Sequence, residues 1–248
     1  MRSLGGFQLV VGLAVLTTLA VACSPARAKS PAERAVVHTV PAVHLTVGLE
    51  QLPETLNPHL PGPEGRLSVQ AAQLLSQVYP SPFLIDGNDQ PVLNTAVAES
   101  AQVVSTQPET VVYRLRAGLD WSNGRPVSAR DFWALWAAEV ATPVGTPGSA
   151  GYRDISSING AGPLTPAPTA VDSGGGQKIT VVFSQPYLYW EGLFQDLLPA
   201  DYLSGHSFAD GFASLSRQLP FAGPYRVASF SPGHSLELRA RRHWSGPP

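Results

Sequence analysis

The segment from Val111 to Phe132 constrains the fold of this chain more than any other part of the sequence. It opens with a period-two alternation, which predicts a strand whose buried face carries Val111, Tyr113 and Leu115. Asn123-Gly124 then predicts a turn, because this pair adopts positive φ at low cost. Ser128 can cap the helix that follows, and Asp131 is spaced to complete a capping box. The segment therefore predicts a strand, a Trp-bearing turn and a capped helix in one compact unit.

This unit resembles a signature of the family 5 extracellular solute-binding proteins of ABC importers, which bind peptides, nickel and other solutes. Three further segments resemble the family in the same chain order: a first strand with its Leu-Asn-Pro loop at 43–59, a strand that ends in proline at 178–186, and a Gly-Pro-Tyr hairpin at 223–244. Taken alone, the unit at 111–132 is also compatible with an unrelated strand-turn-helix. Four matches in order are more specific than any one of them.

The resemblance implies an α/β fold in which residues 43–248 form a lobe of the periplasmic-binding-protein type II class. Alternating short elements and long connections independently favour an α/β or α+β lobe over a helix bundle. Family members carry a second lobe that begins just after the Gly-Pro-Tyr hairpin. The resemblance thus implies an incomplete fold with the second lobe missing, in a fragment or a truncated gene product. The lost strands would leave a sheet edge and apolar surface uncovered.

Hydrophobic periodicity predicts several further elements outside this unit. Helical spacing is found in four segments, 67–75, 132–140, 190–198 and 208–215. The resemblance implies a first strand at 43–50, and Phe83–Ile85 followed by Gly87-Asn-Asp predicts a short hairpin.

The N-terminus indicates export. A short apolar run, Leu9 to Val21, follows Arg2 and is typical of a secretory signal peptide. It leads to Cys23, the single cysteine of the chain, and so resembles a lipobox, although Ala20 stands where leucine is usual. We expect a lipoprotein signal peptide at 1–22, a lipid on Cys23, a flexible tether at 23–42, and anchoring to the outer face of the plasma membrane. An ordinary signal peptide cleaved near Ala26 or Ala28 is the alternative.

Chemistry-bearing residues show no catalytic or metal-binding pattern. The six histidines are scattered without a ligand-like spacing, and the sequence contains neither a nucleophile elbow nor a phosphate-binding loop. Asp154, Asp172, Glu191 and Asp196 could converge on folding, but nothing local pairs them. A formal net charge of −2 argues against nucleic acid as the main partner. We therefore expect a non-enzymatic protein without metal or cofactor.

Binding of a solute is the remaining function class. Ligand clefts combine apolar walls with a few polar groups, and aromatic side chains supply contact area at low entropic cost. The candidate ligand-binding residues are Asn57, His59, Tyr79, Tyr187, Tyr189 and Trp190. For each aromatic residue, packing in the core is an equally good interpretation. Trp121 and Trp133 are assigned to packing.

A group of arginines, Arg239, Arg241 and Arg242, stands near Trp244. It could meet a phosphate-bearing lipid or glycolipid. The interpretation that we prefer is the solvated face of an edge strand.

The family resemblance leaves two functions open. One is capture of peptides or other small solutes for ABC permease subunits. The other is a non-transport role in the actinobacterial LpqW-like lipoprotein branch, associated with cell-wall glycolipid synthesis; the segments around Asn57-Pro-His59 and Leu197-Leu-Pro199 resemble it. A truncated remnant that binds nothing is a third outcome.

Overall fold

The structure is a computed structural model that describes residues 45–62, 68–146, 148–163, 177–242 and 244. From Val47 onward, these residues belong to one compact unit. The predicted signal peptide at 1–22, the lipidation site Cys23 and the tether at 23–42 lie outside the described residues. None of the helices within the described ranges has the length and apolar character that a membrane crossing needs.

The described part begins with a loop and continues into a short helix and a hairpin. Helix α1 covers Val69–Leu75 and is capped by the Ser68 side chain, which accepts a hydrogen bond from the Ala71 amide. Strands β1 (Phe83–Ile85) and β2 (Pro91–Leu93) pair antiparallel. The predicted hairpin after Phe83 and most of the helix predicted at 67–75 are thereby confirmed.

A four-stranded antiparallel sheet forms the centre of the fold. Its strands are β3 (Ala98–Thr106), β4 (Glu109–Leu115), β5 (Ile155–Ile158) and β6 (Lys178–Phe183), in the order β3-β4-β6-β5. The central pair, β4 and β6, is in regular register, whereas both outer strands carry an irregularity. Glu99 and Val104 interrupt the pairing of β3, and Ser156 interrupts that of β5.

The predicted strand-turn-helix unit is confirmed. Gly124 has a φ of 83°, and the Asn123 side chain closes the turn by accepting a hydrogen bond from the Arg125 amide. Helix α2 covers Ala129–Ala141 and starts with a complete capping box of Ser128 and Asp131. The carboxylate of Asp131 also accepts hydrogen bonds from Trp121 Nε1 and the Ala200 amide, so this acid joins three segments.

The core lies between the inner face of the sheet and α2. Phe132, Leu135 and Trp136 project from the helix and are completely buried. Phe132 packs at ring-centroid distances of 5.4 Å from Tyr113 and 4.8 Å from Phe194. Trp121 is also buried, which confirms its assignment to packing. Trp133 is partly buried against this core and donates from Nε1 to the Gly162 carbonyl.

A second hairpin completes the described structure. Helix α3 (Ala200–Leu203), which the sequence did not predict, precedes strands β7 (Tyr225–Ser231) and β8 (Ser235–Ala240). The hairpin expected after Gly223-Pro-Tyr is confirmed by the antiparallel pairing of β7 and β8. Gly223 lies so close to α1's C-terminal end that a Cβ atom there would stand 2.4 Å from the Gln77 carbonyl oxygen.

Three predicted elements are wrong. The described part of the strand predicted at 43–50 has no strand structure, and Val47 is 62% exposed. A strand needs a hydrogen-bonded partner, and no described strand pairs with this segment.

The helix predicted at 190–198 is only a 3₁₀ turn over Trp190–Gly192, followed by positive φ at Phe194 and Asp196. The amides of these two residues donate to Tyr152 Oη and Ser81 Oγ, so they are not available for helical hydrogen bonds.

The helix predicted at 208–215 is a series of turns. Within it, the carbonyl of Phe212 accepts a hydrogen bond from the Leu56 amide. In this segment and in 190–198, contacts with distant segments override the local helical pattern.

Candidate functional site

The described residues enclose an open cavity of about 540 Å³. It lies between the loop that runs from Glu50 to Gly62, helix α1 and the turn at Gly233. The polar lining comes chiefly from carboxylates and amides, and the apolar lining from leucine and proline. Among the lining residues are Glu50, Gln51, Glu54, Asn57, Pro58, Leu60, Gln70 and Leu75. A cavity with this mixture can accept a small solute that offers both hydrogen-bond donors and apolar groups.

The cavity loop is held by hydrogen bonds to three distant segments. Its Gln51 amide donates to Gln70 Oε1 of α1 at 2.9 Å, and its Leu56 amide donates to the Phe212 carbonyl at the same distance. At the hairpin turn, the Gly233 amide donates to the Pro53 carbonyl at 2.9 Å. Gly233 has a φ of 66°, and a Cβ atom there would stand 2.6 Å from Glu54 Oε1, so only glycine fits without displacement.

Asn57 marks the point where the cavity loop turns inward. Its side chain is almost fully buried; Nδ2 donates to the Phe208 carbonyl at 2.7 Å, and Oδ1 accepts from the His59 amide at 3.0 Å. Both polar atoms of the amide therefore serve to fix the loop. The Pro58 that separates the two residues restricts the backbone further.

His59 points away from the cavity and into a polar junction. Its Nδ1 lies 3.0 Å from Glu139 Oε1, and its Nε2 lies 3.1 Å from the Asp196 carbonyl oxygen. With Glu139 ionised, both neighbours are hydrogen-bond acceptors, and the doubly protonated, positively charged ring satisfies both contacts. The His59 and Glu139 side chains are 12% and 1% exposed, and the pair is consequently shielded from water.

The second acid of the junction is Asp196. Its carboxylate accepts a hydrogen bond from Ser81 Oγ at 3.1 Å, and its backbone amide donates a hydrogen bond to Ser81 Oγ at 2.7 Å. Burial raises the pKa of Asp196 to about 6, and this is opposed by the charge of His59 and by the hydrogen bond from Ser81. Within the described residues, no group of histidine, cysteine and acidic side chains is arranged to hold a metal ion.

Comparison with known proteins identifies the family. The model of "Bacterial extracellular solute-binding proteins, family 5 Middle" matches residues 92–248. The chain belongs to family 5 of the bacterial extracellular solute-binding proteins. Proteins of this family are exported, periplasmic or extracellular binders.

Two curated relatives illustrate the family's range. The chain is 34% identical over 214 residues to the probable monoacyl phosphatidylinositol tetramannoside-binding protein LpqW of Mycobacterium tuberculosis. The aligned region covers 82% of this chain and 31% of that protein. The chain is 25% identical over 183 residues to the oligopeptide-binding protein OppA of the same organism, covering 72% and 29%. The chain thus spans about a third of the length of these relatives.

Solved structures agree on the fold. The periplasmic EDTA-binding protein EppA aligns with a TM-score of 0.64 at 27% identity, over 79% of this chain and 35% of that one. The oligopeptide-binding protein AppA of Bacillus subtilis, solved with a nonapeptide, aligns with a TM-score of 0.59 at 13% identity, over 77% and 35%. The predicted lobe of a type II periplasmic binding protein is therefore confirmed for this family 5 member.

The predicted ligand residues of the family 5 lobe fall into two separate groups. Asn57 lines the cavity, and His59 and Tyr79 lie behind it. Tyr79 is buried and donates from Oη to the Leu56 carbonyl at 2.9 Å, and burial raises its pKa well above the ordinary value. These contacts support the loop from within, and a direct contact with solute remains a prediction.

The second group, Tyr187, Tyr189 and Trp190, lies beside the central sheet. Tyr187 stacks on Phe183 at 6.3 Å, and Trp190 packs edge-on against Tyr113 at 6.0 Å. Tyr189 is 71% exposed, as is the neighbouring Leu188 at 80%. None of these three residues lines the cavity described above. Their role in binding also stays a prediction.

The arginine group differs from the solvated edge that we preferred. Arg239 is exposed, as expected, and its Nε lies 2.9 Å from Glu237 Oε1. Arg241, however, donates from Nη1 to the Gly223 carbonyl and from Nη2 to the Asp120 carbonyl, each at 3.1 Å. It is half-buried, and burial lowers its pKa. Arg241 therefore fastens the β7–β8 hairpin to the Trp-bearing turn, where carbonyl groups from both segments meet.

Sequence reasoning missed Glu139. A signal for it was present, because Glu139 follows Phe132, Leu135 and Trp136 at helical spacing on the apolar stripe of α2. A single acid on a buried stripe indicates a buried partner. Its identity could not be read locally, since His59 is distant in sequence.

Proposed function

We propose that this lobe captures peptides or comparable small solutes outside the cell and belongs to the binding component of an ABC importer. The open cavity of about 540 Å³ carries the proposal, since its size is that of small-molecule sites. Its amide and carboxylate groups, Gln51, Gln70 and Glu50, can bind the amide and ammonium groups of a peptide. The family membership and the name of the OppA relative agree with this choice.

The affinity of the 248-residue chain alone should be low. An open cavity leaves much of a bound solute in water, so each hydrogen bond competes with solvent. We expect at best millimolar peptide affinity by calorimetry or NMR titration. A longer chain that joins these residues to a second lobe should reach the micromolar range, about 4 kcal/mol more favourable. Micromolar binding by the 248-residue chain would show that the open cavity alone is enough for tight binding.

A pair of variants on α1 tests the position of the site. Ala71 lines the cavity, and Ala71→Phe should obstruct it and strongly reduce the NMR shift changes that peptides cause. Gln73 lies on the same helix, is exposed and does not line the cavity, so Gln73→Phe is the matched control. Equal binding by both variants would place the solute elsewhere, for example at Tyr187 and Trp190.

Glycolipid binding is the second candidate function. The chain is 34% identical to LpqW and 25% identical to OppA, which favours the LpqW-like branch over the transport branch. Cavity groups that bind amides can also bind the hydroxyl groups of mannose. A parallel titration with phosphatidylinositol mannosides and with a peptide mixture distinguishes the two: shift changes at cavity residues with the mannosides alone would replace the importer proposal.

We further propose that the mature protein is a non-catalytic lipoprotein anchored through Cys23. The small residues ahead of a lone cysteine support lipidation, and a diacylglycerol with an added acyl chain suffices for stable anchoring. Cys23→Ala should move the protein from the membrane fraction to the medium. Retention of Cys23→Ala in the membrane fraction would show that the apolar run itself is the anchor.

A further inference from the structure

The cavity loop has two sides that face different surroundings. Asn57, Pro58 and Leu60 line the cavity. His59, between them, faces the protein interior and contacts Glu139 of α2 and the carbonyl of Asp196. The position of the cavity wall is therefore coupled to a buried ion pair by a single residue.

Few other charged groups face His59. Besides Glu139 and Asp196, the ring of Phe208 lies 6.2 Å from that of His59. The buried hydroxyl of Tyr152 interacts with Glu139 and Asp196 and accepts a hydrogen bond from the Phe194 amide. Burial raises the pKa of Tyr152, so this hydroxyl stays neutral. Glu139 Oε2 is buried and has no hydrogen-bond partner within the described residues. The charge of Glu139 is thus balanced mainly by His59.

The two protonation states of His59 differ sharply in this setting. The charged ring donates to both acceptors, whereas the neutral ring has one donor and must place a nitrogen lone pair against an oxygen lone pair. It also leaves Glu139 as a buried, unpaired carboxylate, which is the costly arrangement for a buried charge. Loss of the proton therefore favours movement of His59 and of the residues on either side.

We propose that the His59–Glu139 pair is a latch that holds the cavity wall from Asn57 to Leu60, and that discharging His59 loosens this wall. His59 and Glu139 are positioning residues, since neither lines the cavity. The latch itself follows from the contacts; its effect on solute capture rests on the function proposed above.

The direction of the pH dependence follows from the balance at His59. Burial lowers its pKa, but the hydrogen bond and charge of Glu139 and the contacts with Asp196 outweigh this, so the pKa is raised above 6.5. The latch is therefore fully engaged below pH 6.5 and is lost as the pH rises through the raised value.

Hydrogen exchange of the chain measures the latch without any solute. The amides of 55–62 should lose protection relative to those of β4 by about tenfold between about pH 5.5 and about pH 8.5, after correction for intrinsic exchange. The imidazole resonances of His59 should titrate above 6.5. A protection ratio that does not change with pH would overturn the proposal, and no variant is needed for this result.

A charge-removing variant separates the latch from general stability. Glu139→Gln keeps an oxygen that can accept from His59 Nδ1 but removes the charge, so the pH dependence at 55–62 should vanish and the His59 pKa should fall. Asp201→Asn is the matched control, because Asp201 pairs with Arg125 and Arg130 on the exposed surface. The same pH dependence in Glu139→Gln and the parent chain would also overturn the latch. Failure of peptide binding with an intact pH response would instead count against the proposed function.

Discussion

Helix α2 is buried in two different ways along its length. Phe132, Leu135 and Trp136 face the sheet and are surrounded by apolar and aromatic groups. One turn further, Glu139 is equally buried but faces His59. Apolar burial is non-directional and depends on filled volume, whereas the ion pair depends on matching particular atoms. The apolar part therefore gives the lobe its stability, and the polar part gives the cavity loop a defined position.

The largest expected effect is at the apolar part. Trp136→Ala should reduce the free energy of unfolding by about 4 kcal/mol, since a completely buried indole is replaced by a cavity. The Tyr152 carbonyl also loses the hydrogen bond from Trp136 Nε1. Denaturant unfolding at two pH values should show the same loss at both. A loss below about 1 kcal/mol would mean that the site collapses around the missing ring.

The polar part should respond less and in a pH-dependent way. Glu139→Ala should cost about 3 kcal/mol at low pH, because it leaves charged His59 buried without its partner. As the pH rises above the raised pKa of His59, the ring becomes neutral and the cost should shrink. Unfolding curves across this range test the contrast with Trp136→Ala. Equal costs at all pH values would show that Glu139 is only a space-filling group.

Substitution of Asp196 should mainly change how the free energy of unfolding depends on pH. A carboxyl whose pKa is raised from 3.8 to about 6 contributes stability below pH 3.8 that is lost as the pH rises to 6. Asp196→Asn should flatten the profile in this window and raise the free energy of unfolding at neutral pH by about 2 kcal/mol or less, since the pKa of about 6 already includes the attraction to His59 and the ionised carboxyl remains the costly form. Asp131, with a similarly raised pKa of about 6, remains in this variant and provides the residual slope.

The smallest effect is expected at an exposed ion pair. Arg239→Ala removes the contact with Glu237, whose side chain is exposed like that of Arg239. The free energy of unfolding should change by about 0.5 kcal/mol or less, and less again at high salt. A change comparable to that of Glu139→Ala would remove the distinction between buried and exposed ion pairs in this lobe.

The same contrast explains how much could be predicted from the sequence. The β4-turn-α2 unit was predicted well, because alternation, an Asn-Gly turn and a capping box lie within one short segment. The helix predicted at 190–198 was not found, because the amides of Phe194 and Asp196 bind Tyr152 and Ser81 from other parts of the chain. His59 was selected as a candidate, but its partner Glu139 was not, since their proximity exists only after folding.

The irregular outer strands of the central sheet affect how the lobe behaves in solution. An incoming strand can extend a sheet only where donors and acceptors recur at a constant interval, and Glu99, Val104 and Ser156 break that interval in β3 and β5. Within the part of the chain that the structure describes, neither outer strand of this sheet offers a second copy a long regular template. The sheet therefore resists edge-to-edge self-association, and the concentrated samples that titration of a weak solute requires can consist of separate molecules.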